Sequence, residues 1–369
     1  EITMRKILKL YILYLLLFLF MSKLKRKHEA ITSSTTNNKT TRISPPELLF
    51  GTYKLPKDSC ALAIGNAFAF TSSTFRGIDC APIYNNEKQV GAALSAANVS
   101  RSSIWIQTKL WRSVRIKKVH TAIKKSLKDL KVKYVDCVLM HWPGPGRRLA
   151  FAPVTQTNIV DSVVVKKKNK NPEKVVCVPE DWTAETRLQC YAQMCSAITL
   201  GYTRSVGVCN FSLRQLHELV EFCKTQQLPL PSVVQNEFHP YLHVHAAPLI
   251  AFCHENNISY QAHSSLGGGG GGSANKKVDE YSLLQNTTIM RIAKSQNISP
   301  ATLLFRWAMT KGVTSIIAKS TNIARIEENK HIFDTVFCGD GGEEIDALDL
   351  GHEGTTCFTW VREADPDAY

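Results

Sequence analysis

The sequence predicts an α/β chain folded as a (β/α)8 TIM barrel. Three observations carry that expectation. From Leu48 onward, short apolar runs alternate with longer segments of helical period, the pattern of repeated βα units around a parallel sheet. There are eight such runs. Seven of them end in a polar residue that an apolar core would not choose, as expected where the C-terminal strand ends of a closed barrel converge on one face.

Taken in order, residues 48–53 (LLFGTY) read as the first strand and 57–70 as its helix. The second unit pairs 75–79 (FRGID) with a helix over 86–97, and the third pairs 104–109 (IWIQTK) with 116–130. A fourth strand over 135–141 (VDCVLMH) reaches its helix, 180–200, only after a long interruption. Residues 204–210 (RSVGVCN) precede a helix at 212–226, and 232–237 (SVVQNE) precede one at 245–256. The seventh run, 258–263 (ISYQAH), is followed by 281–296 and 299–310, where Ser299 can cap and Pro300 suits a first turn. The eighth, 313–319 (VTSIIAK), leads to a helix at 322–331.

Two stretches break this rhythm. Residues 143–178 are far longer than an ordinary βα loop, and KKKNKNPEK within them reads as solvated insertion. A glycine-rich loop at 266–276 contains six consecutive glycines, Gly267 to Gly272, which fit either a flexible tract or a lid. The expected organisation is an N-terminal extension over 1–44, a barrel over 45–350 and a tail over 351–369. The extension reads as disordered outside one apolar run. That run, Leu10 to Met21, is flanked by basic residues. It is short for a transmembrane helix and lacks a small-residue cleavage site, so a membrane anchor within residues 5–21 and an upstream reading frame preceding Met21 both remain open.

Composition narrows the class of function. With 44% hydrophobic and 21% charged residues, the 369-residue chain is an ordinary globular protein. Its net charge of +14 divides into +7 over 1–46, +5 over 147–178, −8 over 336–369 and +10 elsewhere. Much of the excess therefore lies in tails and insertions. The basic runs KLKRK and KKKNK carry no interleaved aromatics, which argues against a nucleic-acid partner. Eleven scattered cysteines form no CxxC and no metal or disulfide spacing, which favours a reducing, cytoplasmic compartment.

The stretch GIDCAPIYNNEKQVG over 77–91 places Asp79 at the end of an apolar run, where a carboxylate is costly unless paired. Lys109, ending the adjacent strand, can supply the counter-charge. A phenol near that ammonium, Tyr84 on the following loop, is expected to be a stronger proton donor than an ordinary tyrosine. His141 can orient a carbonyl oxygen or help share the proton. Such a group suits hydride addition to a carbonyl, with Tyr84 as general acid. Tyr53, Trp111 and Trp142, each just beyond a strand end, would form an apolar wall for an aldehyde or ketone.

These residues resemble the aldo-keto reductase superfamily, whose Asp, Tyr, Lys and His tetrad they match at Asp79, Tyr84, Lys109 and His141. VDCVLMHWPGP, SVGVCNFS, VVQNEFHPYL and IIAKSTNIARIEENKHIFD resemble further family segments, together covering roughly residues 47–350. The resemblance implies NADPH as cofactor. Gly51, Thr52 and Asp79 would line its nicotinamide end, with Cys209, Asn210 and Gln235 at the carboxamide and His263 on the ring side, and Ser264 and Leu266 would also contact the cofactor. Lys319, Ser320, Asn322, Arg325, Glu328 and Asn329 would hold the adenosine end, Lys319 and Arg325 favouring a 2′-phosphate. His263 stands where the family usually has a stacking tyrosine, and Cys209 where serine is commoner. A monomer acting on a small carbonyl compound is expected, with a non-catalytic NADP(H)-binding sensor or partner subunit as the alternative.

Overall fold

The computed structural model describes residues 44–351 apart from 69–74, 98–99, 112–113, 115, 145–182, 268–281, 335–338 and 340. The apolar run at 5–21, most of the 143–178 insertion, the glycine tract beyond Gly267 and the C-terminal tail thus lie outside the described residues. All described residues belong to one compact unit, Ile43–Tyr369.

The eight expected strands are present: β1 (Leu48–Gly51), β2 (Gly77–Asp79), β3 (Trp105–Leu110), β4 (Val135–Met140), β5 (Thr203–Cys209), β6 (Val233–Glu237), β7 (Ser259–His263) and β8 (Ser315–Ala318). Each pairs in parallel with the next, and β8 closes on β1 through Leu48 to Ile316 and Phe50 to Ala318. The helices are α1 (Cys60–Phe68), α2 (Glu87–Ala96), α3 (Val119–Asp129), α4 (Ala184–Thr199), α5 (Leu213–Thr225), α6 (His243–Glu255), α7 (Thr287–Ser295), α8 (Pro300–Thr310), α9 (Ile323–Lys330) and the short α10 (Gly342–Asp346). Only α10 was without a sequence expectation, because five residues are too few to express a helical period.

Local chemistry explains the helix starts. Ser299 accepts from the Thr302 amide with Pro300 in the first turn, as expected. Ser212 and Gln215 form a reciprocal capping box at α5. Among the described residues no helix is long and apolar enough to cross a membrane.

Strand alternation sorts the core into two sets. Phe50, Ile78, Ile106, Val138, Val208, Val234 and Ile316 join the large cluster shared with the helices. Leu49, Trp105, Cys137, Leu139 and Val233 form a separate cluster that plugs the barrel interior. Gly207 sits against this plug: a Cβ there would lie 2.5 Å from the Val233 carbonyl oxygen and 2.7 Å from Leu139. Only glycine lets β5 approach so closely. Above the plug, the same inward-facing positions become polar, and the candidate site begins there.

Candidate active site

Strand register brings the acid and the lysine together. Asp79 is opposite Gln107 on β3, and Lys109, two residues further along, shares the inward face of Gln107. Lys109 Nζ donates to both Asp79 carboxylate oxygens at 2.6 Å, to the Cys80 carbonyl at 3.2 Å and to Tyr84 Oη at 3.1 Å. The lysine side chain is fully buried and that of Asp79 nearly so. Burial alone would lower the Lys109 pKa, but Asp79 and Tyr84 reverse this and leave the ammonium held above its ordinary value.

Tyr84 departs from one expectation. Burial raises the phenol further than the Lys109 ammonium lowers it, so Tyr84 is held above, not below, the ordinary tyrosine value. Desolvation, the larger of the two influences, is not visible in the sequence. A phenol that stays protonated across neutral pH is nonetheless a proton donor, and its hydroxyl is fixed by an ammonium that can stabilise the phenolate left behind.

The loop carrying Tyr84 is fastened at its C-terminal end by two residues outside the sequence-derived set. Asn86 Nδ2 donates to the Thr52 and Leu55 carbonyls at 2.9 and 3.1 Å, tying the loop to the end of β1. Glu87 accepts from Thr108 Oγ1 at 2.6 Å and Ser126 Oγ at 3.1 Å, tying it to β3 and α3. Burial pushes the Glu87 carboxyl upward against those two bonds. Thr52 Oγ1 in turn donates to the Asp79 carbonyl at 2.8 Å.

Beneath Asp79 lies a second group that sequence reading missed. Gln107 Nε2 donates to Asp79 Oδ1 at 2.7 Å and to Gln261 Oε1 at 2.9 Å. Gln235 Nε2 donates to the same two acceptors at 3.0 and 3.1 Å. Gln235 is thus engaged with the tetrad's acid from below, beyond the carboxamide role that the family resemblance gives it. Counting two residues back from Lys109 and from His263 would have found Gln107 and Gln261, because alternate residues share a face.

His141 follows β4, with its ring edge-on to Tyr84 at 5.8 Å and to Trp111 at 5.1 Å, and stacked on Trp142 at 6.3 Å. Tyr53 meets Tyr84 at 5.1 Å. The tetrad and all three aromatic residues therefore share one mouth. Asn210, past the end of β5, donates to the His141 carbonyl at 2.9 Å and to Cys209 Sγ at 3.2 Å, while Cys209 faces Gln235 Oε1 at 3.6 Å. His263 contacts Asn210 Oδ1 at 3.1 Å and Ser264 Oγ at 3.1 Å. Burial holds its pKa down at about 4, so the ring is neutral at physiological pH.

Gly51 lies opposite Asp79 in the β1–β2 register. The remaining residues gather at the end of β8 and start of α9. Lys319 and Arg325 are exposed. Partial burial and the neighbouring Lys54 ammonium lower the Lys319 pKa. Asn322 caps α9 by accepting from the Arg325 amide at 3.1 Å, and Ser320 Oγ accepts from the Asn322 amide at 3.1 Å. Glu328 accepts from Thr302 at 3.1 Å, Asn329 is buried, and Leu266 packs against the core.

Residues 47–350 match the aldo/keto reductase family. The chain is 34% identical over 309 residues to aldehyde reductase YPR1 of Saccharomyces cerevisiae, covering 82% of this chain and 87% of that protein. It is 31% identical over 326 residues to the aldo/keto reductase slr0942 of Synechocystis, covering 87% and 90% of the two chains. The crystal structure of aldose reductase from Giardia lamblia superposes with a TM-score of 0.65 at 28% identity, over 83% of this chain and 93% of that one. A closed eight-stranded barrel, a lysine–aspartate pair under a tyrosine at its mouth, and a family match spanning that whole barrel converge on one conclusion: this oxidoreductase belongs to the aldo/keto reductase family.

Proposed function

We propose that this enzyme reduces small, uncharged aldehydes or ketones to alcohols, with NADPH as its reductant and Tyr84 as general acid. The observation that carries the reading is Lys109 Nζ, held by Asp79 at 2.6 Å and donating to Tyr84 Oη at 3.1 Å. A reduced nicotinamide, when bound, supplies the hydride that the carbonyl carbon accepts. The substrate oxygen takes the Tyr84 proton, and the phenolate so formed is stabilised by the Lys109 ammonium. His141, edge-on to Tyr84, can orient the carbonyl oxygen. Tyr53, Trp111 and Trp142, packed around Tyr84 and His141, give the mouth an aromatic wall that favours apolar substrates.

The donor chemistry at the mouth fits a dinucleotide. Amide groups of Asn210 and Gln235 bond to His141 and Asp79, and the Lys319 and Arg325 cations stand near the α9 start. The like-charge influence of Lys54 on Lys319 would be relieved by a phosphate bound at Lys319. The assembled tetrad argues against the non-catalytic alternative. The eight described cysteines are buried and free, which supports a reducing, cytoplasmic setting. Oxidation of NADPH and of NADH against a panel of aldehydes tests the reading. The combined Lys319→Ala and Arg325→Ala change should raise KM for NADPH by about tenfold or more and leave NADH nearly unaffected. Oxidation of neither nucleotide by the unmodified enzyme would contradict the proposal, and equal effects on both would remove the preference for NADPH.

A further inference from the structure

We infer that His263 is a positioning residue that acts through a hydrogen bond to Asn210: it sets the Asn210 amide, and with it the His141 backbone, where a nicotinamide carboxamide docks. The inference rests on the dinucleotide reading above. It differs from the ring-stacking role that the position alone would suggest.

The geometry fixes each partner in turn. Asn210 Nδ2 donates to the His141 carbonyl at 2.9 Å, so flipping the amide would set its oxygen against another carbonyl oxygen. Oδ1 must therefore face His263 Nε2, 3.1 Å away, and only a protonated Nε2 can donate to it. A neutral ring carrying its hydrogen on Nε2 leaves Nδ1 as an acceptor, which matches the Ser264 hydroxyl at 3.1 Å. The chain of donors thus runs in one direction, from Ser264 through His263 and Asn210 to the His141 carbonyl. It links the end of β7 to the end of β4.

The backbone is shaped for this. Asn210 and Ser264 both adopt left-handed conformations, with φ of 62° and 56°. Side chains other than glycine occupy that region at a cost, and Asn tolerates it better than most. Asn210 is only 3% exposed, so an Oδ1 deprived of its donor could not turn to bulk water.

Two substitutions separate positioning from stacking. His263→Phe keeps an aromatic face and removes the donor. His263→Gln removes the ring but keeps an N–H at comparable reach. Dissociation constants for NADPH, read by quenching of protein fluorescence, should weaken about tenfold in His263→Phe and stay within about twofold in His263→Gln. In an Asn210→Ala background, His263→Phe should have little further effect. Imidazole nitrogen shifts in the free protein should report a neutral ring protonated at Nε2. The reverse ranking, or a ring protonated at Nδ1 in a protein that binds NADPH normally, overturns the assignment. A protein with the Nε2 proton in place that binds neither NADPH nor NADH would sink the dinucleotide reading, and the role given to His263 with it.

Discussion

Replacing Lys109 by methionine should cost the fold about 3–5 kcal/mol, the price of leaving a buried charge without its partner. The structure suggests the lower part of that range. Asp79 would keep the bonds from Gln107 at 2.7 Å and Gln235 at 3.0 Å, and bonds to a charged group contribute roughly 1.5–3 kcal/mol each. Against this, the carboxylate would remain almost wholly out of water with no cation near it. Asp79→Asn should destabilise by a similar amount, because it strands the Lys109 ammonium, whose side chain is 0% exposed. Combining both changes should restore most of the stability, since the new amide can still accept from the two glutamines and no buried charge survives. Urea unfolding of all four proteins gives the coupling energy directly, and about 2 kcal/mol or more is expected. Lys109→Met and the double variant should lose turnover because Tyr84 loses the ammonium that stabilises its phenolate, and Asp79→Asn should lose it because Lys109 is deprived of the carboxylate that holds it charged and in place. Either single change costing under about 1 kcal/mol, or a double variant less stable than Lys109→Met, would show that the two charges do not depend on one another.

Two further outcomes follow from the same site. His263 titrates near 4 in the fold against 6.5 in the unfolded chain, mainly through burial and with Lys109 and His239 adding to it against Glu237 and Asp79. The unfolded state therefore binds the extra proton, so this contribution is complete above pH 6.5 and falls as pH drops toward 4, by up to about 3 kcal/mol. Unfolding free energies of the unmodified protein and His263→Gln should diverge across that window, and parallel profiles would contradict the burial argument. Thr108→Val removes the 2.6 Å bond to Glu87 that fastens the Tyr84 loop to β3. A loss of about 1–3 kcal/mol in thermal or urea unfolding is expected, and a neutral result would show that the tie contributes nothing.

How much of this was legible depended on period and desolvation. The eight strands were readable because each is a short apolar run, seven of them closed by a polar residue, and the pairing of Asp79 with Lys109 followed from the cost of an isolated buried charge. Gln107 and Gln261 escaped because glutamine inside an apolar run looks like an ordinary strand position until the inward face is traced from β2 to β7. Asn86 and Glu87 escaped for another reason. Beside Tyr84 they read as helix-start residues, and only the fold brings Thr52 and Thr108 within reach of them. The Tyr84 pKa was reversed because a sequence displays neighbouring charges but not the depth at which a phenol sits. His263 was read by its position in a motif, whereas its bond to Asn210 involves two left-handed residues, 210 and 264, just past the ends of β5 and β7.

The most direct test of the central claim is the single-turnover rate of a preformed NADPH complex mixed with an aldehyde, for the unmodified enzyme and for Tyr84→Phe. Loss of the general acid should slow the chemical step by about 10²–10⁴-fold while the NADPH dissociation constant changes by less than about twofold. Equal single-turnover rates in the two proteins would contradict the account, because the proton would then have to come from somewhere other than the phenol above Lys109.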